Sequence, residues 1–598
     1  MKNTKINKKT LAIILLFILS AILHGLLSDF PKVISGYPDE LRYVGIGRSL
    51  FEGQGLRLHN LNSDFQKILY SIIILPAFFF RSTVEQIRAI GYINSLFLSS
   101  SIFPLYSLCK RILKEDNDFL CVIVFWITFP VFVFSLYFMS EVAFLPLSLW
   151  VVYCVWCIFD SEKFSEKLCL NLLLGVLCYL AYLNKEIALY YVLAYMFVYA
   201  LYCVFHGLNR KEEVICLLTF AGVFVLCFLV MKGTIFYGLE NSYSGTNLKA
   251  FRLNFSMEEI RYLLYGLICN ILFTVLAFGI FPVVIPLAFW DKKEKESWFF
   301  LFLLLSVLIG CATISYLITL PEDFGKQSPR LHIRYLEPLI LPFFILMINS
   351  IRRLEDNRQE KRYKIVGICV ALFAIILTCL KAGGGSYLAD NSSLLYYELF
   401  ARFLCKSDTL LLAVRLLLAV AVIAGFLVFY KNKNLFVCLF IGMFICVNMV
   451  NSVAGFCAGR YRYSIAESQR TQAAEANEYL QNLSGNILLI SKEGTSPEDK
   501  RLLDTYISRE LYVTDYELAE SDGILEDWMI ELDVEPVRCD VSGDYYTDLD
   551  KIDYLMVKDS YYIQFKTGTV EKVMDFPLDE YSLYHNLRPE IICLEQDI

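Results

Sequence analysis

Residues 38–43 read Pro-Asp-Glu-Leu-Arg-Tyr and place two carboxylates, a guanidinium and a phenol in one short stretch of chain. A carboxylate can take the proton of an attacking hydroxyl or amine, and an arginine can hold a phosphate. Asp39 and Glu40 are therefore candidate catalytic residues. Arg42 and Tyr43 are candidate substrate-binding residues.

The proline at position 38 predicts how this stretch folds. Proline is favoured at the first residue of a helix, which puts Asp39 in the first turn, where the helix dipole stabilises negative charge. Residues three apart share a helix face, so Glu40 faces the same way as Tyr43, and Asp39 shares the neighbouring face with Arg42. An amphipathic helix at the membrane surface, with an Asp39–Arg42 ion pair, explains the same residues without any chemistry.

Two further charged groups interrupt long apolar stretches. Glu141 is the single charged residue from 119 to 159, and an isolated carboxylate at a membrane boundary is a candidate functional residue. The alternative is an acid at a helix start, stabilised by the dipole. Lys185, between two apolar runs, is a candidate phosphate ligand, and the alternative is an internal ion pair with Glu186.

A fourth group precedes another apolar run, in the stretch SPRLHIRYLEP at 328–338. Arg330 and Arg334 could grip a phosphate, and Tyr335 could orient it. Arginine and tyrosine are also common anchors at the membrane interface, which is the alternative. The sequence contains no P-loop, HExxH or GxSxG motif.

The elements that must position these residues are membrane helices. Hydrophobic residues make up 57% of the 598 residues and charged residues only 19%, below the roughly 25% of soluble proteins. We predict an α-helical polytopic membrane protein, with a helix at the interface over 68–80 or, alternatively, a fourteenth span there. The thirteen predicted transmembrane helices cover residues 11–27, 88–108, 119–137, 142–159, 168–183, 187–205, 214–231, 263–289, 297–317, 335–350, 364–380, 409–430 and 435–451.

The charges between these runs predict the orientation. Lysine and arginine favour cytoplasmic loops, and with thirteen spans the short basic loops alternate regularly with neutral or acidic ones. The protein is then expected in the plasma membrane with its N-terminus on the cytoplasmic side. The first long loop, 28–86, and the C-terminal part then face outside, as do all four candidate groups.

The C-terminal part differs in charge from the rest. Residues 465–598 contain 30 acidic and 11 basic residues, whereas the preceding chain contains 31 acidic and 43 basic ones. This predicts a transmembrane domain over 1–455 and an acidic extracytoplasmic domain over 456–598. Apolar segments at 486–491, 534–541 and 552–557 predict strands and 497–511 predicts a helix, so the smaller domain is α/β. No block is basic enough to indicate a nucleic-acid partner.

The four groups, in this order, resemble the motifs of GT-C fold glycosyltransferases, in particular the aminoarabinose transferase and protein O-mannosyltransferase branch. PDELRYVGIGRSLFEGQGL resembles their first external loop, and MSEVAFLPL resembles their acidic second motif. GVLCYLAYLNKE resembles their G-x3-G-hydrophobic-T-K element, with Asn184 where threonine is usual. RYLEPLILPF resembles their R-Y-x-x-P-x-x-P element. The resemblance covers about residues 1–350.

The resemblance implies a reaction outside the membrane. A sugar would pass, with inversion, from a polyprenyl-phosphate carrier in the membrane lipid to a lipid, glycan or protein acceptor. Asp39 would be the base or would orient the acceptor, and Glu40 and Glu141 would be supporting or sugar-contacting acids. The resemblance requires no organic cofactor and leaves open a divalent cation, weakly held by oxygen ligands. The implied phosphate ligands are Arg42, Lys185, Arg330 and Arg334, with Tyr43 and Tyr335 as orienting groups.

Three other functions compete with this interpretation. A transporter or flippase typically carries charged or broken spans at mid-membrane, whereas here the charges lie at span ends. A polymerase of surface polysaccharide also uses lipid-linked sugars, but is expected to centre its arginines in a large late external loop. A scaffold built around the acidic tail explains neither Glu141 nor Lys185.

Overall fold

The structure is a computed structural model that describes residues 8–34, 38–58, 61–62, 65–206, 210–237, 255–319, 332–353, 360–379, 393–395, 408–472, 480, 482–491, 512–515, 538–539, 545–546, 552–558, 570–575 and 581–587. Of the predicted features, Arg330 and the helix at 497–511 lie outside these residues, as does the predicted strand at 534–541 apart from residues 538–539. The chain divides into two compact units. We call residues 1–27, 94–135 and 140–458 the bundle unit, and 28–93, 136–139 and 459–598 the loop unit.

Helices dominate the chain up to residue 472. They are α1 (Lys8–Ser28), α2 (Pro38–Phe51), α3 (Leu69–Ile73), α4 (Thr83–Ser100), α5 (Ile102–Ile112), α6 (Asp116–Ile127), α7 (Glu141–Asp160), α8 (Phe164–Asn184), α9 (Leu189–His206), α10 (Arg210–Gly233), α11 (Met257–Phe278), α12 (Phe281–Ala288), α13 (Lys295–Ile314), α14 (Ile340–Arg352), α15 (Glu360–Cys379), α16 (Asp408–Lys431) and α17 (Lys433–Gln472).

The chain is a multi-pass membrane protein, as predicted. Within the described residues, ten helices are long and apolar enough to cross a bilayer. Each overlaps one of the thirteen predicted spans, and the count of thirteen stays a prediction. The ten are Lys8–Ser28, Asp116–Ser135, Glu141–Asp160, Phe164–Asn184, Glu186–His206, Lys211–Gly233, Met257–Phe278, Lys295–Ile318, Leu412–Lys431 and Lys433–Ile465.

Several predicted spans differ from the helices that form. The predicted span 88–108 is two helices, α4 and α5, which meet at Ser101. The predicted span 335–350 begins with two short 3₁₀ turns, and its α-helix, α14, has only 13 residues. The run 68–80 forms α3 and a 3₁₀ helix, each of five residues. Neither can cross a bilayer, so the alternative fourteenth span is wrong.

The predicted span 263–289 is interrupted because of one glycine. Helix α11 begins with a capping box, in which Ser256 Oγ accepts the backbone N–H of Glu259 at 3.1 Å. It ends at Gly279, whose φ of 77° is the left-handed conformation that glycine adopts without strain. The chain then restarts as α12, with Pro282 in its first turn.

Short strands follow α17 and also occur in the first loop. In the C-terminal part, five strands form a mixed sheet in the order β4-β3-β7-β9-β8, where β3 pairs in parallel with β4 and β7. The predicted strands 486–491 and 552–557 correspond to β3 and β7. The predicted domain boundary at 456 falls inside the continuous helix α17, and the two-domain division stays a prediction. The strands are β1 (Arg57–Leu58), β2 (Leu61–Asn62), β3 (Ile487–Ser491), β4 (Tyr512–Asp515), β5 (Arg538–Cys539), β6 (Tyr545–Tyr546), β7 (Tyr554–Lys558), β8 (Val570–Asp575) and β9 (Tyr581–Asn586).

Replacing Gly279 with alanine tests the helix break. A Cβ at this position would lie 2.4 Å from a ring carbon of Phe444 in α17 and would force a strained backbone. We expect Gly279→Ala to destabilise the protein by about 1–3 kcal/mol, measured as a lower unfolding temperature in detergent. Gly222→Ala, in α10, is the matched control because no atom lies within 4 Å of its added Cβ. Equal unfolding temperatures for the two variants would contradict this account.

Candidate functional site

The ends of α7, α8 and α9 meet at one place in the bundle unit. Helix α7 begins at Glu141, and α8 ends at Asn184. The Asn184 side chain donates a hydrogen bond of 2.8 Å to the backbone oxygen of Ser140, which ties the end of α8 to the start of α7. Lys185 has extended backbone angles (φ −151°, ψ 115°) and is the single residue between two spans.

Three charged side chains meet at this junction. The Lys185 Nζ lies 2.5 Å from Oε1 of Glu141, and the Arg334 Nε lies 3.1 Å from the same oxygen. Glu141 and Lys185 are 5% and 6% exposed. With the aromatic ring of Tyr335, these residues form what we call the cationic cluster. The cluster contains two cations that share one carboxylate.

Tyr335 provides the apolar and hydrogen-bonding surface of the cationic cluster. Its ring centre lies 4.1 Å from Lys185 Nζ and 5.1 Å from Arg334 Cζ, distances at which a cation is attracted to the ring face. Its hydroxyl accepts a 3.3 Å hydrogen bond from Arg334. Its backbone oxygen accepts a 2.9 Å hydrogen bond from the Tyr190 hydroxyl, and the His332 ring stacks on it with centroids 5.6 Å apart. Helix α9 therefore fixes the position of Tyr335.

Burial makes these charges costly. Burial lowers the pKa of Lys185, and the Glu141 carboxylate beside it acts in the opposite direction. A buried charge is stable only where counter-charges or hydrogen bonds replace its lost hydration. Glu141 supplies such a counter-charge to both Lys185 and Arg334.

The other predicted site residues lie on α2, in the loop unit. The helix begins at Pro38, as predicted, with Asp39 and Glu40 in its first turn. Glu40 is fully buried. Its Oε1 accepts hydrogen bonds from the Phe138 backbone N–H at 3.1 Å and from the Tyr463 hydroxyl at 2.9 Å.

Tyr43 lies on the same face of α2 as Glu40, as the spacing predicted. It is 2% exposed and packs edge-on against the rings of Phe65 and Tyr70, with both centroids 5.2 Å away. The Ser71 hydroxyl donates to its backbone oxygen at 2.9 Å. Tyr43 therefore belongs to the core that holds α2 in the first loop.

Asp39 and Arg42 lie on the more accessible face. Both are partly exposed, and Arg42 lies 5.9 Å from the centre of the Phe65 ring. Within the described part of the chain, no ion pair joins Asp39 to Arg42, so the structure does not bear out the alternative of an ion-paired helix.

The described acids do not suit a divalent cation. Glu141 already shares its Oε1 with two cations, and Glu40 accepts hydrogen bonds from an amide and a phenol. Among the described residues, no three His, Cys, Asp or Glu side chains lie together in a way that could hold a metal ion. We derive no chemical step through a metal.

Comparison with known proteins identifies the fold. No family model matches the sequence, and no curated protein matches it. The crystal structure of ArnT from Cupriavidus metallidurans bound to undecaprenyl phosphate matches over 96% of this chain and 98% of that chain, with a TM-score of 0.50 and 14% sequence identity. The chain has the GT-C fold. At this identity the likeness establishes the fold alone.

Two further structures align less well with this GT-C chain. The apo structure of the same ArnT matches with a TM-score of 0.48, 12% identity and coverage of 97% of this chain and 99% of that one. The oligosaccharyltransferase of Archaeoglobus fulgidus, in complex with Zn and sulfate, has a TM-score of 0.36 and 10% identity. It covers 91% of this chain and 68% of that chain.

The structure brings together some of the predicted site residues and adds one. Glu141, Lys185, Arg334 and Tyr335 meet in the cationic cluster, and Lys185 pairs with Glu141 although Glu186 is its neighbour in sequence. Tyr463 was missed, because the sequence around it was assigned to a separate domain. Asn451, Gly455, Gly459 and Tyr463 are buried at four-residue intervals along α17, and this spacing is the signal that could have revealed a buried helix face.

Removing the carboxylate of the cationic cluster tests its electrostatics. Glu141→Gln leaves Lys185 and Arg334 buried without their shared counter-charge, so we expect a loss of about 3 kcal/mol in stability. Adding Lys185→Met should recover part of that loss because one uncompensated charge disappears. The unfolding temperature in detergent is the measurement.

The control is an exposed ion pair of similar length. Lys9 and Asp116 lie 2.6 Å apart, with side chains 56% and 79% exposed, so Asp116→Asn should change stability much less. If Glu141→Gln is as stable as Asp116→Asn, the cluster is not held by buried charge.

Proposed function

We propose that the protein transfers a sugar from a polyprenyl-phosphate carrier to an acceptor on the extracytoplasmic side of the membrane, with inversion at the sugar carbon. The observation that supports this proposal is the meeting of two buried cations, Lys185 and Arg334, in the cationic cluster, where one membrane helix ends and another begins. A lipid phosphate is an anion that can reach such a place from within the membrane. The GT-C fold agrees with this function, and the ArnT structure of the same fold holds undecaprenyl phosphate.

The chemistry needs a base and a stabilised leaving group. An acceptor oxygen or nitrogen attacks the anomeric carbon of the sugar, and the bond from that carbon to the phosphate oxygen breaks. The bonding electrons leave with the phosphate, which becomes a dianionic lipid monophosphate. The acceptor proton passes to a carboxylate. Lys185 and Arg334 are proposed to stabilise the phosphate charge as it develops.

Asp39 is the better candidate for the base. Its side chain is partly exposed, and the described residues show no ion pair or hydrogen bond that occupies it. Glu40, in contrast, is fully buried and already accepts two hydrogen bonds. We therefore assign proton transfer to Asp39 and support of α2 to Glu40 and Tyr43. Arg42 and Arg330 are proposed as further phosphate ligands, and Glu141 is proposed to orient the two cations.

The binding of lipid phosphate tests the cationic cluster directly. Undecaprenyl phosphate serves as the probe, with the full-length protein in lipid nanodiscs and binding measured by native mass spectrometry. We expect Lys185→Gln and Arg334→Gln each to weaken binding at least tenfold, because a charged hydrogen bond is worth about 1.5–3 kcal/mol.

The matched control is a lysine on α8, the helix that ends just before Lys185. Lys167, near the other end of α8, forms a buried ion pair of 2.6 Å with Glu213 and resembles Lys185 in burial and pairing. Lys167→Gln should keep the wild-type affinity for undecaprenyl phosphate even where it destabilises the fold. Equal losses for Lys167→Gln and Lys185→Gln would argue that the cluster is structural and binds no phosphate.

Substituting Asp39 tests the base. We expect Asp39→Asn to lower sugar transfer at least a thousandfold, because the variant cannot accept the proton, while binding of undecaprenyl phosphate is unchanged. Transfer is measured with purified protein, undecaprenyl-phosphate-linked sugars and membrane extract as the source of acceptors. Asp29→Asn is the control, since Asp29 lies in the same loop and pairs with Arg88 at 2.5 Å. Full activity in Asp39→Asn would overturn the assignment.

A further inference from the structure

The C-terminal turns of α17 pack onto the first loop. Helix α17 has 40 residues, which at 1.5 Å per residue makes it about 60 Å long, roughly twice the thickness of a bilayer core. Within the loop unit, its residues from 459 onward approach residues 28–51 and 136–139. The Lys32 Nζ lies 2.6 Å from Oε1 of Glu467, and the Arg460 guanidinium lies 5.4 Å from the centre of the Phe30 ring.

One glycine permits this close approach. A Cβ on Gly459 would lie 2.4 Å from Cδ2 of Leu136 and 3.0 Å from the Tyr137 hydroxyl. Tyr463 is four residues later and therefore on the same face of the helix. The backbone contact at Gly459 thus brings the Tyr463 hydroxyl within reach of the first loop.

The Tyr463 hydroxyl contacts the buried carboxyl group of Glu40. It lies 2.9 Å from Glu40 Oε1 and also 2.9 Å from the backbone oxygen of Leu136. A hydroxyl has one proton to donate, and a carboxylate is the stronger acceptor. Tyr463 is 1% exposed and Glu40 is fully buried, so water does not compete for this bond.

We propose that Tyr463 is a positioning residue for the transfer reaction, acting through Glu40 on the neighbouring Asp39. This inference rests on the proposed function. Glu40 and Asp39 are consecutive residues in the first turn of α2, so the bond that holds Glu40 also fixes the rotation of that turn. The Phe138 N–H holds the same carboxyl group from a second direction. The C-terminal turns of α17 thereby set the direction of the reacting carboxylate in the first loop.

Removing one oxygen atom tests the proposal. Tyr463→Phe keeps the ring that lies near Tyr137 and Phe138 but cannot donate to Glu40. We expect kcat for sugar transfer to fall at least tenfold, with KM for the lipid-linked sugar changed less than about twofold, because the donor-binding residues are elsewhere. Tyr461→Phe is the matched control: Tyr461 lies two residues away on α17 and is 71% exposed, so activity should be unchanged.

A double-mutant cycle separates a path through Glu40 from general destabilisation. If Tyr463 acts through Glu40, Tyr463→Phe should lower kcat no further in a chain that already carries Glu40→Leu, which removes the accepting oxygens. Additive losses would overturn the proposal, as would wild-type kcat in Tyr463→Phe. Gly459→Ala should reproduce the kcat loss by pushing the helix away. Gly442→Ala, in the same helix with open space around the added Cβ, should not.

A measurement that needs no substrate keeps this inference distinct from the proposed function. Hydrogen exchange of the α2 amides should be faster in Tyr463→Phe and in Gly459→Ala than in Tyr461→Phe and Gly442→Ala. Faster exchange in a protein that transfers no sugar would refute the proposed function and leave only the contact. Unchanged exchange would overturn the contact itself, whatever the activity.

Discussion

The candidate site depends on one buried carboxylate, Glu141, which two cations share. Its burial forces Lys185 and Arg334 to stay beside it, because each charge has lost most of its hydration. The covalent structure makes this possible, since Glu141 opens α7, Lys185 is the single residue between two spans, and Arg334 lies in the short turns before α14. Two cations at one carboxylate distinguish this arrangement from the pair of Lys167 and Glu213, which joins α8 to α10.

The two neighbouring carboxyl groups in the first loop have different environments and therefore different uses. Glu40 faces inward and is held by a backbone amide and a phenol, so it can fix α2 but is poorly placed to exchange a proton with substrate. Asp39 is one residue earlier and about 100° around the helix, on the more accessible face. A rigid acid can orient an accessible acid next to it as a base, because the packing that restrains one residue also restrains its neighbour.

Sequence reasoning singled out the residues of the cationic cluster because the signals were local. An isolated glutamate in an apolar stretch, a lysine between two spans and a proline before two acids each indicate a place in the structure without knowledge of the fold. Contacts between residues that are far apart in the sequence could not be predicted in this way. Glu40 meets Tyr463 across a sequence separation of 423 residues, and the choice of Glu141 over Glu186 as the partner of Lys185 depends on how α7 and α8 pack. The interruptions at Ser101 and Gly279 escaped a hydropathy criterion because the surrounding residues are apolar in both helices.

The placement of Tyr463 changes how the C-terminal part is understood. Composition separates an acidic C-terminal part from the membrane helices. The helix α17 that enters this part is nevertheless continuous, and its Tyr463 hydroxyl donates a hydrogen bond to Glu40 in the first loop. Loss of one hydrogen bond at the end of a long helix changes the stability little, but it changes the orientation of a carboxylate considerably. Under the proposed function, kcat would be sensitive to positions such as Gly459, because an error of about 1 Å in a reacting group can cost a hundredfold in rate.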